Sequence, residues 1–283
     1  MPERPDLEYF VPILDRELRG LGVTSVRAPR PVVLRVAIRG TPEALLVGKA
    51  FEKVERRAAF VLFTLGEVEM AIAPMLAGRF SLSAPTDKKP ANLAVALGLS
   101  DGRELRYRDD VQMGKVWILA KGDHETVPGL AHVGIDVLEA RKFTKAALRA
   151  LARTRRDQVK VFLLDKSALD SMGNAYADEV LWHARIHPKR QARTLSDEEC
   201  DRLHDSIVTV LSEARDEIAS RQPPIDEKVR DFLSVRGRHG QPCPRCGTTI
   251  RSAGVHGHDA DFCPTCQPDA RPGALLDWRK TKK

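Results

Sequence analysis

The sequence predicts an α+β chain: a lone amphipathic helix, a β-rich N-terminal half, a helical second half and a metal-held hairpin near the C-terminus. Three observations predict it. Helical spacing of apolar residues is confined to a short opening stretch and to the region beyond Asp136. Between these lie short β-branched and apolar runs punctuated by turn residues, and near the end stand two pairs of cysteines.

In the opening stretch, Leu7, Phe10, Val11, Leu14 and Leu18 follow Pro5 at helical spacing. Gly20 and Gly22 act as stop signals, which places a helix over about residues 6 to 20. Strand-like runs follow at 32–38, 60–65, 68–72, 93–97, 105–107 and 116–119, separated by turn pairs such as Gly66-Glu67 and Asp101-Gly102. The pattern is that of an antiparallel sandwich or barrel. Ala, Leu, Arg and Lys then become dense through residues 142–219, with interruptions at Gly173-Asn174 and His187-Pro188. Gln222-Pro223-Pro224 breaks the last long helix, and a polar segment leads to the cysteines. Four regions result: an N-terminal domain over 1–135, a helical domain over 136–222, a linker and cysteine hairpin over 223–267, and a basic tail over 268–283 whose composition predicts mobility.

At 283 residues, with 42% hydrophobic and 30% charged residues, the composition is that of a globular protein large enough for two domains. No run approaches the roughly 18 apolar residues of a membrane span, so a membrane partner is not expected. A formal net charge of +7 favours a polyanionic partner. The opening Met1-Pro2-Glu3-Arg4-Pro5-Asp6 lacks the basic-then-apolar order of a secretory signal, which points to a reducing, cytoplasmic compartment. Cysteines there are thiols or metal ligands.

Cys243 and Cys246 form one C-x2-C pair, Cys263 and Cys266 another, with sixteen residues between the pairs. This is zinc-ribbon spacing. Each pair turns tightly enough for both sulfurs to face one ion at about 2.3 Å, and four thiolates fill the tetrahedron, so one structural zinc ion is expected. The hairpin tip carries His256 and His258, which four sulfurs leave free to face solvent or a phosphate. Cys200 reads as a helix-surface or core thiol.

Three separated segments together resemble one known family, the formamidopyrimidine-DNA glycosylase and endonuclease VIII group of base-excision repair enzymes. Pro2-Glu3-Arg4-Pro5-Asp6-Leu7-Glu8 resembles its N-terminal motif. Leu163-Leu164-Asp165-Lys166 through Gly173-Asn174-Ala175-Tyr176-Ala177-Asp178-Glu179 resembles its helix-two-turn-helix motif, and Val235-Arg236-Gly237-Arg238 with the cysteines resembles its zinc finger. The resemblance implies an N-terminal β-sandwich joined to a helix-two-turn-helix domain and a zinc-ribbon hairpin. It also implies that Pro2, freed by removal of Met1, is a secondary-amine nucleophile for the sugar C1′, and that Glu3 is the acid that protonates the ribose ring oxygen. Asn174 and Lys160 match the family's phosphate-contacting positions, and Arg56 and Arg57 match arginines of its β-domain. Asn174 can act as a helix N-cap at the same time.

Departures from the family fall on the DNA-facing positions. A lysine usual after the paired arginines is replaced at Ala59. The residues that fill the gap left by a flipped base align with Leu76, Val111 and Met113; Leu76 and Met113 retain apolar bulk for the base stack, whereas Val111 cannot hydrogen-bond the orphaned base. His258 stands where an arginine clamps phosphate, Asp6 stands where glutamate is usual, and the chain between Pro224 and Val235 is short. The expectation is a divergent DNA-repair glycosylase with abasic-site lyase activity. It acts as a monomer on double-stranded DNA carrying a damaged base or abasic site, in the cytoplasm or, in a bacterium, at the nucleoid. The usual 8-oxoguanine opposite cytosine is not its expected substrate. The alternatives are a catalytically weakened damaged-DNA-binding protein and, third, a zinc-ribbon binder of nucleic acid that reads no base.

Overall fold

The computed structural model describes residues 2–170 and 172–269. The expectation of a mobile tail over 268–283 falls almost wholly outside them. The chain forms two compact units, one of residues up to 134 with 211–230, the other of 135–210 with 231 onward.

The first unit opens with α1 (Arg4–Leu18), two residues ahead of the sequence estimate at each end because its start is set by a capping box rather than by the first apolar residue. Its apolar stripe, Leu7, Phe10, Val11, Leu14 and Leu18, is at most 5% exposed. There follow β1 (Val23–Arg27), β2 (Leu34–Val36), α2 (Pro42–Leu46), β3 (Lys53–Arg57), β4 (Phe60–Leu65), β5 (Val68–Ala73), β6 (Gly78–Ser83), β7 (Leu93–Leu99), β8 (Glu104–Asp109) and β9 (Lys115–Ala120). They form two sheets, of order β2-β9-β5-β4-β3 and β1-β7-β8-β6. Neighbours are antiparallel except β2 and β9. Two separate sheets make this a sandwich and not a barrel.

Strands β4 and β5 are buried along their whole length, which is why they read as unbroken apolar runs. Val61, Phe63 and Leu65 face the main core with the α1 stripe, while Phe60 and Leu62 face a second cluster with Val127 and Leu130. The strands absent from the sequence reading are the polar ones. Lys53-Val54-Glu55-Arg56-Arg57 offers one apolar residue, yet it pairs with β4 along its length. The expected strand at 32–38 is instead a 3-10 turn, Pro31–Val33, followed by β2; Pro31, with its fixed φ, opens the turn at its first position.

The second unit contains β10 (Ile135–Asp136), α3 (Lys145–Thr154), α4 (Val159–Leu164), β11 (Leu169–Asp170), α5 (Asn174–His183) and the first part of α6 (Asp197–Arg221), then the hairpin of β12 (Arg251–Val255) and β13 (His258–Phe262). Thr144 caps α3 by accepting the Ala147 N–H at 3.1 Å. Helix α6 stops at Arg221, before the two prolines at Pro223-Pro224. Among the described residues no helix is long and apolar enough to cross a membrane.

Candidate functional site

In the first unit the candidate catalytic residues stand at the first turn of α1. Pro2 is buried and Glu3, at 6% exposure, is the N-cap. The Glu3 carboxylate accepts the Asp6 N–H, and Asp6 Oδ2 accepts the Glu3 N–H at 2.7 Å, so the two acids close a reciprocal box. Asp6 also receives both arms of Arg230, one of them at 2.8 Å. A carboxylate fixed this way has one rotamer, and the peptide joining Pro2 to Glu3 is held with it.

Two turns at one end of the sandwich present the apolar positions. The pairs Ala73↔Lys115 and Gly78↔Asp109 set the β5–β6 turn beside the β8–β9 turn. Leu76 is 53% exposed, Val111 52% and Met113 44%. The β8–β9 turn is pinned by Asp109, which accepts the Gly114 N–H at 2.6 Å and the Val111 N–H at 3.2 Å; beside it lies Tyr107, whose buried hydroxyl has no hydrogen-bond partner among the described residues. Burial and the nearby Asp109 push the Tyr107 phenol above its ordinary range. A Cβ on Gly78 or Gly114 would stand 2.6 or 2.0 Å from that hydroxyl, so both positions require glycine.

Arg56 and Arg57 part company. Arg56 donates to Glu8 at 3.2 Å and to the Ala58 carbonyl at 2.9 Å, bracing the two-residue β3–β4 turn against α1, whereas Arg57 is exposed. Ala59, in that turn, is 9% exposed. The sequence singles out the segment between Pro224 and Val235 only as a linker that is short for the family. The structure brings Lys228 within 3.5 Å of the Leu76 carbonyl, Asp226 within 3.6 Å of Arg108, and Arg230 onto Asp6. Burial pulls the Lys228 ammonium below the usual lysine range, and Arg79 adds to this. Asp226-Glu227-Lys228-Val229-Arg230 carries neither a motif nor a periodicity, and only the fold reveals its partners.

In the second unit the four cysteine sulfurs all lie within 4.8 Å of one another, with 3.9 Å between Cys243 and Cys266, 3.4 Å between Cys246 and Cys263 and 3.5 Å between Cys246 and Cys266. Sulfurs at about 2.3 Å from a central ion stand about 3.8 Å apart in a tetrahedron, so the donor set fits one structural zinc ion. Gln267 locks the second knuckle, accepting the Cys263 N–H at 3.0 Å and donating to the Ile186 carbonyl at 2.9 Å. The hairpin turns at His256-Gly257, both at positive φ (43° and 81°), the geometry of a tight two-residue turn.

The helix-two-turn-helix residues converge on this hairpin through two acids that the sequence reading quoted only as part of the motif. Glu179 accepts the N–H groups of Ser234, Val235 and Arg236 at 2.8, 2.9 and 2.8 Å. Asp178 accepts from Lys160 at 2.6 Å, Arg236 at 3.0 Å and the Asp261 N–H at 3.1 Å. Burial pushes Asp178 up to about 6 and pulls Lys160 down, against their mutual attraction. Lys160 is fully enclosed and also donates to the Asp259 carbonyl. Asn174 is the first residue of α5, one place beyond the N-cap Gly173, so its amide does not cap the helix; it donates to Asp259 Oδ1 at 2.8 Å. His258, at the start of β13, is exposed, and His256 lines a cleft with Arg156, Lys189 and Arg190.

Known families match three stretches in chain order: the formamidopyrimidine-DNA glycosylase N-terminal domain over residues 1–116, its H2TH domain over 133–222, and the zinc finger found in FPG and IleRS over 240–268. The chain is 33% identical over 277 residues to the formamidopyrimidine-DNA glycosylase of Pelotomaculum thermopropionicum, covering 94% of this chain and 99% of that one. Among solved structures, the MutM (Fpg) protein of Thermus thermophilus gives a TM-score of 0.83 at 32% identity, covering 95% of this chain and all (100%) of the other. The Lactococcus lactis Fpg in complex with DNA containing Fapy-dG gives 0.85 at 25% identity, covering 94% and 100%. With sandwich, helical motif and four-sulfur site in the same order as in relatives matched end to end, the chain belongs to the formamidopyrimidine-DNA glycosylase family of DNA-repair enzymes.

Proposed function

We propose that the protein excises a damaged base from double-stranded DNA through a covalent Pro2 intermediate and then cleaves the abasic strand by β-elimination. The observation that carries this is the reciprocal Glu3–Asp6 box, clamped by Arg230, at the buried start of α1. With Met1 removed, the Pro2 nitrogen attacks the sugar C1′, the C1′–base bond breaks and the base leaves with a proton. Glu3 protonates the ring oxygen as the iminium forms. Loss of a C2′ proton then breaks the C3′–O bond, and water releases Pro2.

Asn174, Arg57 and His258 face the backbone in this reading, with Lys160 and Arg56 behind them fixing the surfaces that carry them. Leu76 and Met113 enter the stack where the base has left. With valine at position 111 the wedge is apolar throughout, so the opposite base is read weakly and 8-oxoguanine opposite cytosine is not the favoured pair. The protein acts as a monomer in the reducing cytoplasm, a setting that the thiol-based zinc site supports. A second reading, damaged-DNA binding with little excision, draws on Ala59, where the family's usual lysine is absent.

Borohydride trapping on a duplex containing an abasic site separates the two. A covalent adduct that disappears in Pro2→Gly is the expected result. Tight binding by the wild type with no adduct would establish the second reading instead.

A further inference from the structure

Asp259 is the second residue of β13, and its side chain is 67% exposed. An acid that open to water has no need of partners, and exposed ion pairs contribute little. Yet both its oxygens are engaged. Oδ1 accepts the Asn174 amide at 2.8 Å and Oδ2 accepts the Arg236 guanidinium at 2.8 Å. Burial works against its ionisation, but Arg236 and Asn174 hold it below the usual carboxylate range.

These two donors are what a phosphodiester seeks: an amide at the first turn of a ten-residue helix and a planar, permanently charged fork. Arg236 is anchored from behind by Asp178 at 3.0 Å, so it keeps its place whatever occupies its front. The charges around the seat are Lys160 and Arg236 against Asp178, Asp259 and Asp261, the last 3.9 Å from Arg236. The seat is therefore acidic in balance while Asp259 faces it, and loses that excess when Asp259 turns out to solvent.

We propose that Asp259 is a built-in competitor for DNA phosphate: its carboxylate occupies the anion seat formed by Asn174 and Arg236, and a backbone phosphodiester binds there by displacing it. The inference rests on the reading that Asn174 meets DNA. It adds Arg236 to the phosphate-binding groups and makes DNA affinity an exchange of one anion for another. The family's arginine is missing at His258, and Arg236 supplies a guanidinium that is released only when phosphate arrives.

The test uses the full zinc-loaded chain, with binding followed by fluorescence anisotropy on an undamaged duplex and on one carrying a tetrahydrofuran abasic analogue, across a series of salt concentrations. Asp259→Ala clears the seat; Asp259→Asn removes the charge while keeping the shape. Asp205→Asn is the control for loss of one acid, because it likewise frees an exposed cation, Lys145. We expect Asp259→Ala to bind both duplexes about tenfold more tightly than wild type. Its salt slope should steepen by about one, and Asp205→Asn should gain no more than about threefold. Asn174→Ala should weaken binding more in the Asp259→Ala background than in the wild type.

Equal gains from the Asp259 and Asp205 variants, or the same Asn174→Ala effect in both backgrounds, would overturn the proposal. So would failure of both Asp259 variants to retain zinc and fold, which would make the residue structural. Absence of DNA binding by every form, wild type included, would instead remove the function on which the inference rests.

Discussion

Asp178 shows how much one buried side chain organises here. Its carboxylate is shared by Lys160, Arg236 and the Asp261 N–H, and Lys160 has zero exposure. Asp178→Asn leaves an ammonium inside the protein with only a carbonyl and an amide to face. The expected loss is about 3–5 kcal/mol in chemical denaturation at neutral pH, the cost of an uncompensated buried charge. A loss below about 1 kcal/mol would mean that water reaches Lys160. The sequence displayed this acid within a recognisable motif but gave no sign that its partners lie 18 and 58 positions away. The cysteines were legible for the opposite reason, since their chemistry depends on local spacing.

At the scale of elements, the zinc hairpin is the part whose stability is borrowed. Its small cluster consists of Val235, Cys243, Ile250 and Cys263, with Trp182 and Cys266 partly buried against it, which is too little apolar surface to order some 25 residues without metal. Arg245 stacks 3.9 Å above the Trp182 ring and donates to the Trp182 carbonyl at 2.9 Å, so the first knuckle reports on α5 directly. Chelation of zinc should change the near-ultraviolet dichroism of Trp182 and lower the melting temperature. The dichroic change should be absent in Trp182→Phe, and persistence of the wild-type spectrum after complete zinc removal would contradict a metal-ordered hairpin. Strands β4 and β5 were visible in the sequence because both their faces are buried, whereas β3 and β6 were hidden by arginines and serines that one solvated face allows. The segment at 226–230 stayed unread because its contacts are long-range charge pairs, which leave no periodicity.

Over the whole molecule, the net charge of +7 sets the reach of any polyanion. If DNA is held through phosphates as proposed, log affinity falls linearly with log salt by about 0.9 for each contact. Arg57→Ala should weaken binding to every sequence alike and reduce that slope by about one. A change in lesion preference at unaltered general affinity would assign Arg57 to the base and not to the backbone.

The buried hydroxyl of Tyr107, packed against both Gly78 and Gly114, couples the shapes of the β5–β6 and β8–β9 turns. Neither turn can be resculpted alone. A graft that changes the β8–β9 turn while leaving Leu76 and its turn untouched must still fit the Tyr107 side chain against Gly78. If the two turns meet the base stack as proposed, re-engineering of lesion choice in this scaffold should exchange them together with their tyrosine, as a single cassette.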